Sequence, residues 1–309
     1  YTYAPDVGEK TLKEATRVVD EWNGKADGRI TCMIGPLAPD VCSKEYLEKS
    51  RSEAEKRKVG LTIHLSQSLV ENRQVTLKYG KSPVQHLQSI GFLGPDLVAT
   101  HCIYTDNLDT KTLSETGTKI AHCPSNMIIR GGGKVAPILR WIQSGITFGI
   151  GTDNPPSPHD MLVAARNMKT VSWRNITADP YDTTLPRLNL SATKALEIAT
   201  IEGAKALGME DRIGSLEPGK MADLILVDIF RAHIGPTTND IIADLIYYAN
   251  GNDVQTVIVD GQIIKQNGKV MQVDENKVVA EAHKTNQRLW TQFYNANPRL
   301  KPKPSMNYE

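Results

Sequence analysis

Short apolar runs rich in strand-forming residues alternate with helical stretches along most of the chain, and this alternation limits the possible folds most. The predicted strands are 30–34, 60–64, 97–104, 119–123 and 146–152. They start about every 20–35 residues, with a predicted helix between each pair, which is the repeat of a parallel β/α architecture. In such folds the residues at the C-terminal ends of the strands carry the chemistry.

The segment Ile146–Met161, ITFGIGTDNPPSPHDM, shows this pattern most clearly. An apolar run ends abruptly at Gly151-Thr152-Asp153-Asn154, a loop rich in Pro and Ser follows, and a helix is predicted from about residue 160. A carboxylate at the end of a buried strand is a candidate metal ligand or general base. The alternative is an Asp that caps the following turn, and this segment alone favours neither interpretation.

Ionisable side chains also lie at the ends of three other predicted strands. These residues are His64 in LTIHLSQS, His101 in VATHCIY and His122 in IAHCPSN. A single His on an apolar strand is usually a core residue, but three His and one Asp at the same end of successive parallel strands would converge on one cavity. Imidazole and carboxylate suit zinc or iron, and an open coordination position would activate water.

The C-terminal part of the chain has a different character. The stretch SATKALEIATIEGAKAL predicts one helix over 191–207, with Ser191 as its N-cap and Gly208 as its stop. Apolar runs predict a small separate sheet, and Asp260-Gly261 between two of them is a hairpin signal. The predicted elements of this part are strands 222–228, 254–259 and 262–265, and a polar helix over 275–294.

Composition excludes several classes of partner. The 309 residues are 40% hydrophobic and 23% charged, with a net charge of +1, so neither nucleic acid nor a membrane surface is expected as a partner. No uninterrupted apolar run approaches the ~20 residues of a transmembrane helix. The four cysteines form no CxxC pair, and free, mostly buried thiols in a reducing cytoplasm are expected ahead of disulfides or a zinc site.

Two further segments are similar to those of a known family. ATIEGAKALG at 199–208 and IGSLEPGKMADL at 213–224 resemble the stretch that joins the barrel to the C-terminal β-sandwich in the metal-dependent amidohydrolase superfamily. The branch concerned contains atrazine chlorohydrolase, guanine deaminase and the adenosylhomocysteine/methylthioadenosine deaminases, and the resemblance covers essentially the whole chain.

The resemblance implies a TIM-type (β/α)8 barrel, an α/β fold, of which only strands 4–8 are present, with the C-terminal part of a small β-sandwich. The implied segments are 1–207 for the barrel portion, 208–273 for the sandwich portion and 274–309 for a C-terminal helix and tail. It also implies a homo-oligomer, and the expected free thiols favour a cytoplasmic location.

Residue by residue, the resemblance implies that His64 and Asp153 bind one divalent metal, with zinc expected first and iron second. Asp153 would also be the general base, and His101 would position the hydrolytic water or the substrate. The implied substrate-contacting residues are Gln67, Glu71, His122 and Asn126, although a solvated helix carboxylate is expected for Glu71.

Two departures from the family pattern affect the expected activity. The family's acid lies three residues after the first strand-end His, where this chain has Gln67, and an amide cannot carry a proton. No His precedes His64, so the family's His-x-His pair is absent. The expectation is therefore that these residues are the C-terminal two-thirds of a longer enzyme. Its missing N-terminal segment would have been removed or lie on another chain, and this chain alone would bind metal weakly or not at all.

The expected function is a metal-dependent hydrolase that directs a metal-activated water at a carbon–nitrogen, non-peptide bond of a small heterocyclic or amide-like substrate, as aminohydrolases and deaminases do. The alternatives are a chlorohydrolase or other carbon–heteroatom hydrolase of the same branch, and a non-catalytic homologue, which Gln67 favours. A nucleotide-binding protein is poorly supported, because Gly131-Gly132-Gly133 lacks GxGxxG spacing.

Overall fold

The computed structural model describes residues 4–130, 134–155, 157, 159–177, 190–236 and 239–301. The glycine-rich run 131–133 lies outside the described residues. The chain divides into two compact units. Unit 1 comprises Tyr1–Ala222 and Asp228–Asp253, and unit 2 comprises Asp223–Val227 and Val254–Glu309.

Unit 1 contains a five-stranded parallel sheet in which sequence order and spatial order coincide. The strands are β1 (Met33–Ile34), β2 (Gly60–Leu65), β3 (Leu97–His101), β4 (Lys119–His122) and β5 (Phe148–Ile150). The predicted α/β class and the five parallel strands are therefore confirmed.

Helices connect and cover these strands. They are α1 (Pro5–Trp22), α2 (Lys25–Gly28), α3 (Lys44–Arg57), α4 (Leu69–Tyr79), α5 (Pro83–Ser89), α6 (Asn107–Glu115), α7 (Pro124–Arg130), α8 (Ile138–Gln143), α9 (Met161–Thr177), α10 (Ala192–Ala199), α11 (Ile201–Leu207) and α12 (Ile241–Tyr248). Helices α2, α5, α7 and α12 were not predicted from the sequence, because they are too short to show a clear apolar period. Within the described part of the chain, no helix is long and apolar enough to cross a membrane.

Serine side chains start several of these helices. Ser43, Ser68 and Ser82 accept hydrogen bonds from backbone N–H groups in the first turns of α3, α4 and α5. Each bond satisfies one of the N–H groups that a helix start leaves without a partner. These caps place each helix start directly after the loop that leaves the preceding structural element.

The predicted helix 191–207 is wrong in one respect, because it is two helices. Ser191 caps α10 and Gly208 ends α11 at φ +67°, as predicted. Thr200 interrupts them at φ −127°, ψ −95°. The break lets α11 approach β5 so closely that a Cβ on Gly149 would lie 2.8 Å from the Cα of Gly203.

Strand β3 is shorter than predicted. It ends at His101, because His101 and Cys102 adopt positive φ angles of +79° and +49° and the chain leaves the extended conformation. The predicted strands 30–34 and 146–152 are likewise observed only over Met33–Ile34 and Phe148–Ile150.

The core of unit 1 lies between the sheet and the helices. Leu61, Ile63 and Leu65 on β2 are buried and alternate with partly exposed residues. Phe148 on β5 packs edge-on against the fully buried Trp141 of α8 at 5.5 Å between ring centroids. Removing this apolar surface from water is the main favourable contribution to folding of the unit.

Unit 2 contains a four-stranded antiparallel sheet and a long helix. Its elements are β6 (Leu224–Val227), β7 (Val254–Val259), β8 (Gln262–Gln266), β9 (Lys269–Val270) and α13 (Glu275–Ala296). The predicted Asp260-Gly261 hairpin is confirmed, with both residues at positive φ. A second such turn at Asn267-Gly268, which the sequence analysis overlooked, leads into β9.

The two units do not coincide with the three predicted segments. Residues 208–222 and 228–253, which the sequence analysis assigns to the sandwich portion, belong to unit 1. Helix α12 lies in this stretch and packs against α9 and α10.

Candidate metal and catalytic site

The carboxyl ends of neighbouring parallel strands bring four ionisable residues to one edge of the sheet. His64 is the last but one residue of β2, His101 ends β3, His122 ends β4, and Asp153 follows β5. Parallel strands end at the same edge, so the sequence-predicted residues converge on one region.

His101 and Asp153 lie close together at this edge. The distance from His101 Nε2 to Asp153 Oδ2 is 3.8 Å. Both residues adopt left-handed backbone conformations, with φ of +79° and +59°. Such conformations are unfavourable for residues other than glycine and cluster at functional sites. The carboxylate also accepts a hydrogen bond of 2.7 Å from the backbone N–H of Asn154.

The ring of His64 is oriented by a backbone carbonyl that the sequence analysis did not identify. The carbonyl oxygen of Leu37 lies 2.7 Å from His64 Nδ1 and also accepts a hydrogen bond from the backbone N–H of His64. Hydrogen bonding at Nδ1 places the proton there and leaves Nε2 free to bind a metal ion or substrate. The ring stacks on that of His101, with 5.4 Å between centroids.

Cys123, the residue after β4, joins this group. One donor atom each from His101, Cys123 and Asp153 lie within 4.8 Å of one another, and His64 is outside that set. Burial, with a smaller effect of the Asp153 charge, raises the pKa of the Cys123 thiol to about 12. The prediction of free and mostly buried cysteines is confirmed, but Cys123 was not predicted to be a site residue. The available signal was its position directly after a strand-end His.

His122 is completely enclosed by protein. Neither ring nitrogen has a hydrogen-bond partner among the described residues, and the ring packs edge-on against Trp141. Burial, followed by the charge of His101, lowers the pKa of His122 to about 3, so the ring is neutral at physiological pH. Asn126 on α7 is also buried, and its Nδ2 likewise lacks a partner in the described part of the chain.

Glu71 is buried, so the expectation of a solvated helix carboxylate is wrong. Only 1% of its surface is exposed. Its two oxygens accept hydrogen bonds from the backbone N–H groups of Ser66 and Gln67, at 2.7 and 2.8 Å. These amides follow the end of β2 and need an acceptor, which the first turn of α4 supplies. Burial outweighs these hydrogen bonds and raises the pKa of Glu71 to about 7.

The residues at this edge fit a divalent metal ion. Imidazole, carboxylate and thiolate donors suit zinc, and the first two also suit iron. The buried nitrogens of His122, which have no partner among the described residues, give this region further polar groups that a bound species could satisfy.

Comparison with known sequences gives consistent matches. Residues 3–264 match the amidohydrolase family. The chain is 39% identical over 281 residues to a 5-methylthioadenosine/S-adenosylhomocysteine deaminase of Moorella thermoacetica, covering 90% of this chain and 63% of the relative. It is 40% identical over 283 residues to a 5′-deoxyadenosine deaminase of Methanosarcina mazei, covering 91% and 63%. The chain thus spans about 63% of the length of these curated relatives.

Solved structures show the same fold. An adenosine deaminase from Xanthomonas campestris with bound zinc superposes with a TM-score of 0.83 at 26% identity, covering 92% of this chain and 62% of that one. Atrazine chlorohydrolase TrzN from Arthrobacter aurescens complexed with zinc superposes with a TM-score of 0.78 at 22% identity, covering 89% and 59%. At that identity the second match is evidence for the fold alone.

Proposed function

Because the chain belongs to the amidohydrolase family, we propose that it forms part of a metal-dependent aminohydrolase that releases ammonia from the adenine ring of a 5′-modified adenosine. The observation that carries the proposal is the convergence of His64, His101 and Asp153 at the ends of three parallel strands. The substrate class follows from relatives named for methylthioadenosine, S-adenosylhomocysteine and 5′-deoxyadenosine.

In this proposal His64, through Nε2, and Asp153 hold one divalent ion, with zinc ahead of iron. Zinc is bound in the adenosine deaminase structure that superposes on this chain. A divalent ion in such a site lowers the pKa of a bound water and thereby supplies a nucleophile near neutral pH.

The protein side chains handle the protons and the developing charge. Asp153 accepts a proton from the attacking water, because its carboxylate is partly exposed and lies at the edge where substrate enters. His101, 3.8 Å from that carboxylate, donates a hydrogen bond to the negative charge that develops on the substrate. Leu37 contributes by keeping the His64 ring in one tautomer.

Gln67 sits where the family has an acid, and its amide hydrogen-bonds the substrate ring without transferring a proton. Proton transfer therefore falls to Asp153 and His101. Glu71 acts through Gln67, because both of its oxygens bind the backbone of the turn that carries it. His122 and Asn126 contribute polar groups toward the substrate ring in this proposal.

We also propose that the parallel sheet represents strands 4–8 of an eight-stranded barrel and that the antiparallel sheet is part of a β-sandwich. Five parallel strands cannot close such a barrel. The span of about 63% of the relatives' length supports the proposal that further strands and ligands lie outside this sequence.

A second candidate function is favoured by Gln67. A homologue without a proton donor at this position could bind a nucleoside without hydrolysing it, or could hydrolyse a bond whose leaving group needs no proton, such as a carbon–chlorine bond. The hydrolytic form of this candidate shares the fold and the metal site, whereas a non-catalytic form would hold no stoichiometric metal. Neither form releases ammonia.

Metal analysis and an ammonia assay on the product of the intact open reading frame test the proposal. We expect about one zinc or iron per chain and ammonia release from methylthioadenosine, S-adenosylhomocysteine or 5′-deoxyadenosine, both lost in Asp153→Asn. Metal without ammonia from any of these nucleosides would support the second candidate. A protein without stoichiometric metal would overturn both metal-dependent functions.

A further inference from the structure

The first turn of α4 contacts two of the loops that follow site-bearing strands, and one side chain in it, Asn72, has no role in the proposed function. We propose that Asn72 is a positioning residue for the reaction and acts through His101, by holding the backbone that follows β3. The inference rests on the proposed function in one respect, that the His101 ring donates a hydrogen bond to the charge that develops on the substrate.

The side-chain amide of Asn72 reaches the segment after β3. Its Nδ2 donates a hydrogen bond of 2.8 Å to the backbone carbonyl of Tyr104, which lies 32 residues later in the chain. A carbonyl oxygen can only accept a hydrogen bond, so the atom that faces it must be the amide nitrogen. The bond therefore joins the helix after β2 to the loop after β3, close to His101 at the end of that strand.

Two backbone hydrogen bonds complete the attachment of this segment. The N–H of Cys102 donates to the carbonyl of Leu65 at 2.9 Å, and the N–H of Tyr104 donates to that of Ser66 at 2.8 Å. Tyr104 is thus held at its N–H by the end of β2 and at its carbonyl by Asn72.

The held segment needs such support because its backbone is strained. His101 and Cys102 adopt φ angles of +79° and +49°. Such conformations are unfavourable for residues with a side chain and persist only where surrounding contacts fix them. The direction of the His101 ring follows from this backbone, so a relaxed backbone would move the ring relative to Asp153 and the substrate.

The same helical turn holds the loop after β2. Glu71, the residue before Asn72, accepts hydrogen bonds from two backbone N–H groups of the turn that carries Gln67. Ser68 fixes the helical turn itself, because its hydroxyl accepts the N–H of Glu71 and its carbonyl accepts that of Asn72. One turn of α4 thus holds the backbone near Gln67 and the backbone near His101.

The other polar atom of the Asn72 side chain indicates that helix stability does not account for this residue. Its Oδ1 is buried and has no partner among the described residues, and an unpaired buried oxygen costs free energy. Asn is also among the weaker helix formers. Leucine has nearly the same size and would avoid both costs, so what asparagine supplies here is the N–H donor to Tyr104.

Steady-state kinetics of the intact protein test the assignment with Asn72→Leu, which keeps the size of the side chain and removes the donor. His101 acts on charge that develops in the transition state, so its displacement lowers kcat and kcat/KM together and leaves KM unchanged. We expect kcat for ammonia release from 5′-deoxyadenosine to fall about 10- to 100-fold, with the metal content unchanged.

The matched control is Asn297→Leu. It removes a side-chain amide that donates to the backbone carbonyl of Phe293 at the end of α13, and it should leave kcat unchanged. If Asn72→Leu does not fold, Asn72→Asp replaces it, because a carboxylate also lacks the N–H donor.

A double-mutant cycle separates positioning from a general structural effect. In a His101→Ala background there is no ring to position, so Asn72→Leu should cause no further loss of kcat. The same fold loss in both backgrounds would overturn the inference. An unchanged kcat in Asn72→Leu alone would overturn it as well, whether or not KM rises.

Crystal structures of the native protein and Asn72→Leu separate this inference from the proposed function. A native protein that releases no ammonia would overturn the proposed function, and the position of the His101 ring would then decide the role of Asn72. The reference is the distance of 3.8 Å from His101 Nε2 to Asp153 Oδ2. A displacement of the ring by about 1 Å or more would support the inference. An unmoved ring would overturn it, also where His101→Ala retains too little activity for the double-mutant cycle.

Discussion

The two sheets of this chain bury very different shares of their apolar side chains. In the parallel sheet of unit 1, Ile63 on β2 is 2% exposed. In the antiparallel sheet of unit 2, Ile263 on β8 is 46% exposed, and none of the 22 residues of α13, all of them described, is buried. Parallel sheets are usually covered on both faces, whereas antiparallel sheets tolerate solvent on one.

Strained backbone is also distributed differently in the two units. In unit 1, Ser66, His101, Cys102 and Asp153 adopt positive φ angles at the ends of strands that bear site residues or within three residues beyond them. The other non-glycine residues described with positive φ in this unit are Ala26 and Asp27 in α2 and Lys58 at the end of α3. In unit 2, the non-glycine residues described with positive φ are Asp260 and Asn267, both in hairpin turns where this conformation is favourable. A well-packed sheet can hold unfavourable conformations at its ends, and unit 1 uses them to position side chains.

The largest expected effect is on catalysis and concerns Gln67. Replacing Gln67 with Glu restores a carboxyl group that can donate a proton to the substrate ring or the leaving amine. Because general acid catalysis contributes roughly 10²–10⁴-fold, we expect ammonia release by the intact protein to rise by about that factor. Initial rates with 5′-deoxyadenosine measure it.

The matched control is Gln266→Glu on β8 of unit 2, which adds the same carboxyl group to an exposed strand. It should leave the rate unchanged. An unchanged or lower rate in Gln67→Glu would show that residue 67 does not face the reacting atoms. An equal rise in both variants would show that chemistry is not confined to the strand ends of unit 1.

Two isoleucine-to-alanine substitutions test the difference in burial directly. Ile63→Ala leaves a cavity in the core of unit 1 and should lower the free energy of unfolding by about 2–5 kcal/mol. Ile263→Ala removes a side chain already half exposed and should cost about 1 kcal/mol or less. Urea unfolding followed by circular dichroism measures both. Similar losses would mean that Ile263 is covered in solution, contrary to its exposure here.

Sequence patterns predicted the elements that depend on local chemistry. Strand β7 is observed with the predicted bounds, and the Asp260-Gly261 turn and the Ser191 cap are confirmed. The break at Thr200 could not be predicted from helix propensity, because it accompanies the contact between Gly149 and Gly203, two residues distant in sequence.

The site was likewise predictable only where it depends on local sequence. Strand ends indicated where His64, His101 and Asp153 would gather. The nearness of Cys123 to His101 and Asp153 depends on how three strands align, and the burial of Glu71 depends on amides freed where β2 ends. The metal ligation and catalytic roles of these residues stay predictions.

The buried carboxyl of Glu71 should make the stability of unit 1 depend on pH. Its pKa is about 7 in the folded protein against 4.5 for an ordinary Glu. The folded state therefore binds the proton more tightly than the unfolded state. This contribution to stability is fully present below pH 4.5 and is lost as the pH rises through about 7. A shift of this size corresponds to about 3 kcal/mol.

Glu71→Gln removes the titrating group, so we expect the native protein to lose stability relative to this variant as the pH rises from 4.5 to 7. Urea unfolding of both proteins at several pH values measures the difference between their unfolding free energies. The contributions of the other titrating groups are the same in both proteins and cancel in this difference. Glu281→Gln on the exposed helix α13 serves as the control and should give no such trend. A constant difference between the native protein and Glu71→Gln would show that Glu71 is ionised across this range.

The smallest expected effect compares the N-caps of one helix in each unit. Ser191 accepts from the N–H of Lys194 at the start of α10, and Asp274 accepts from that of Lys277 at the start of α13. Replacing either cap with Ala removes one hydrogen bond and costs its helix about 1 kcal/mol.

Helix α10 packs against α9, α12 and β5, so Ser191→Ala should lower the unfolding free energy of unit 1 by that amount. Helix α13 has no buried residue, so Asp274→Ala should instead fray the helix locally, which amide hydrogen exchange detects as faster exchange in its first turns at unchanged global stability. Equal global destabilisation by both substitutions would show that α13 unfolds together with packed structure, contrary to its lack of buried residues here.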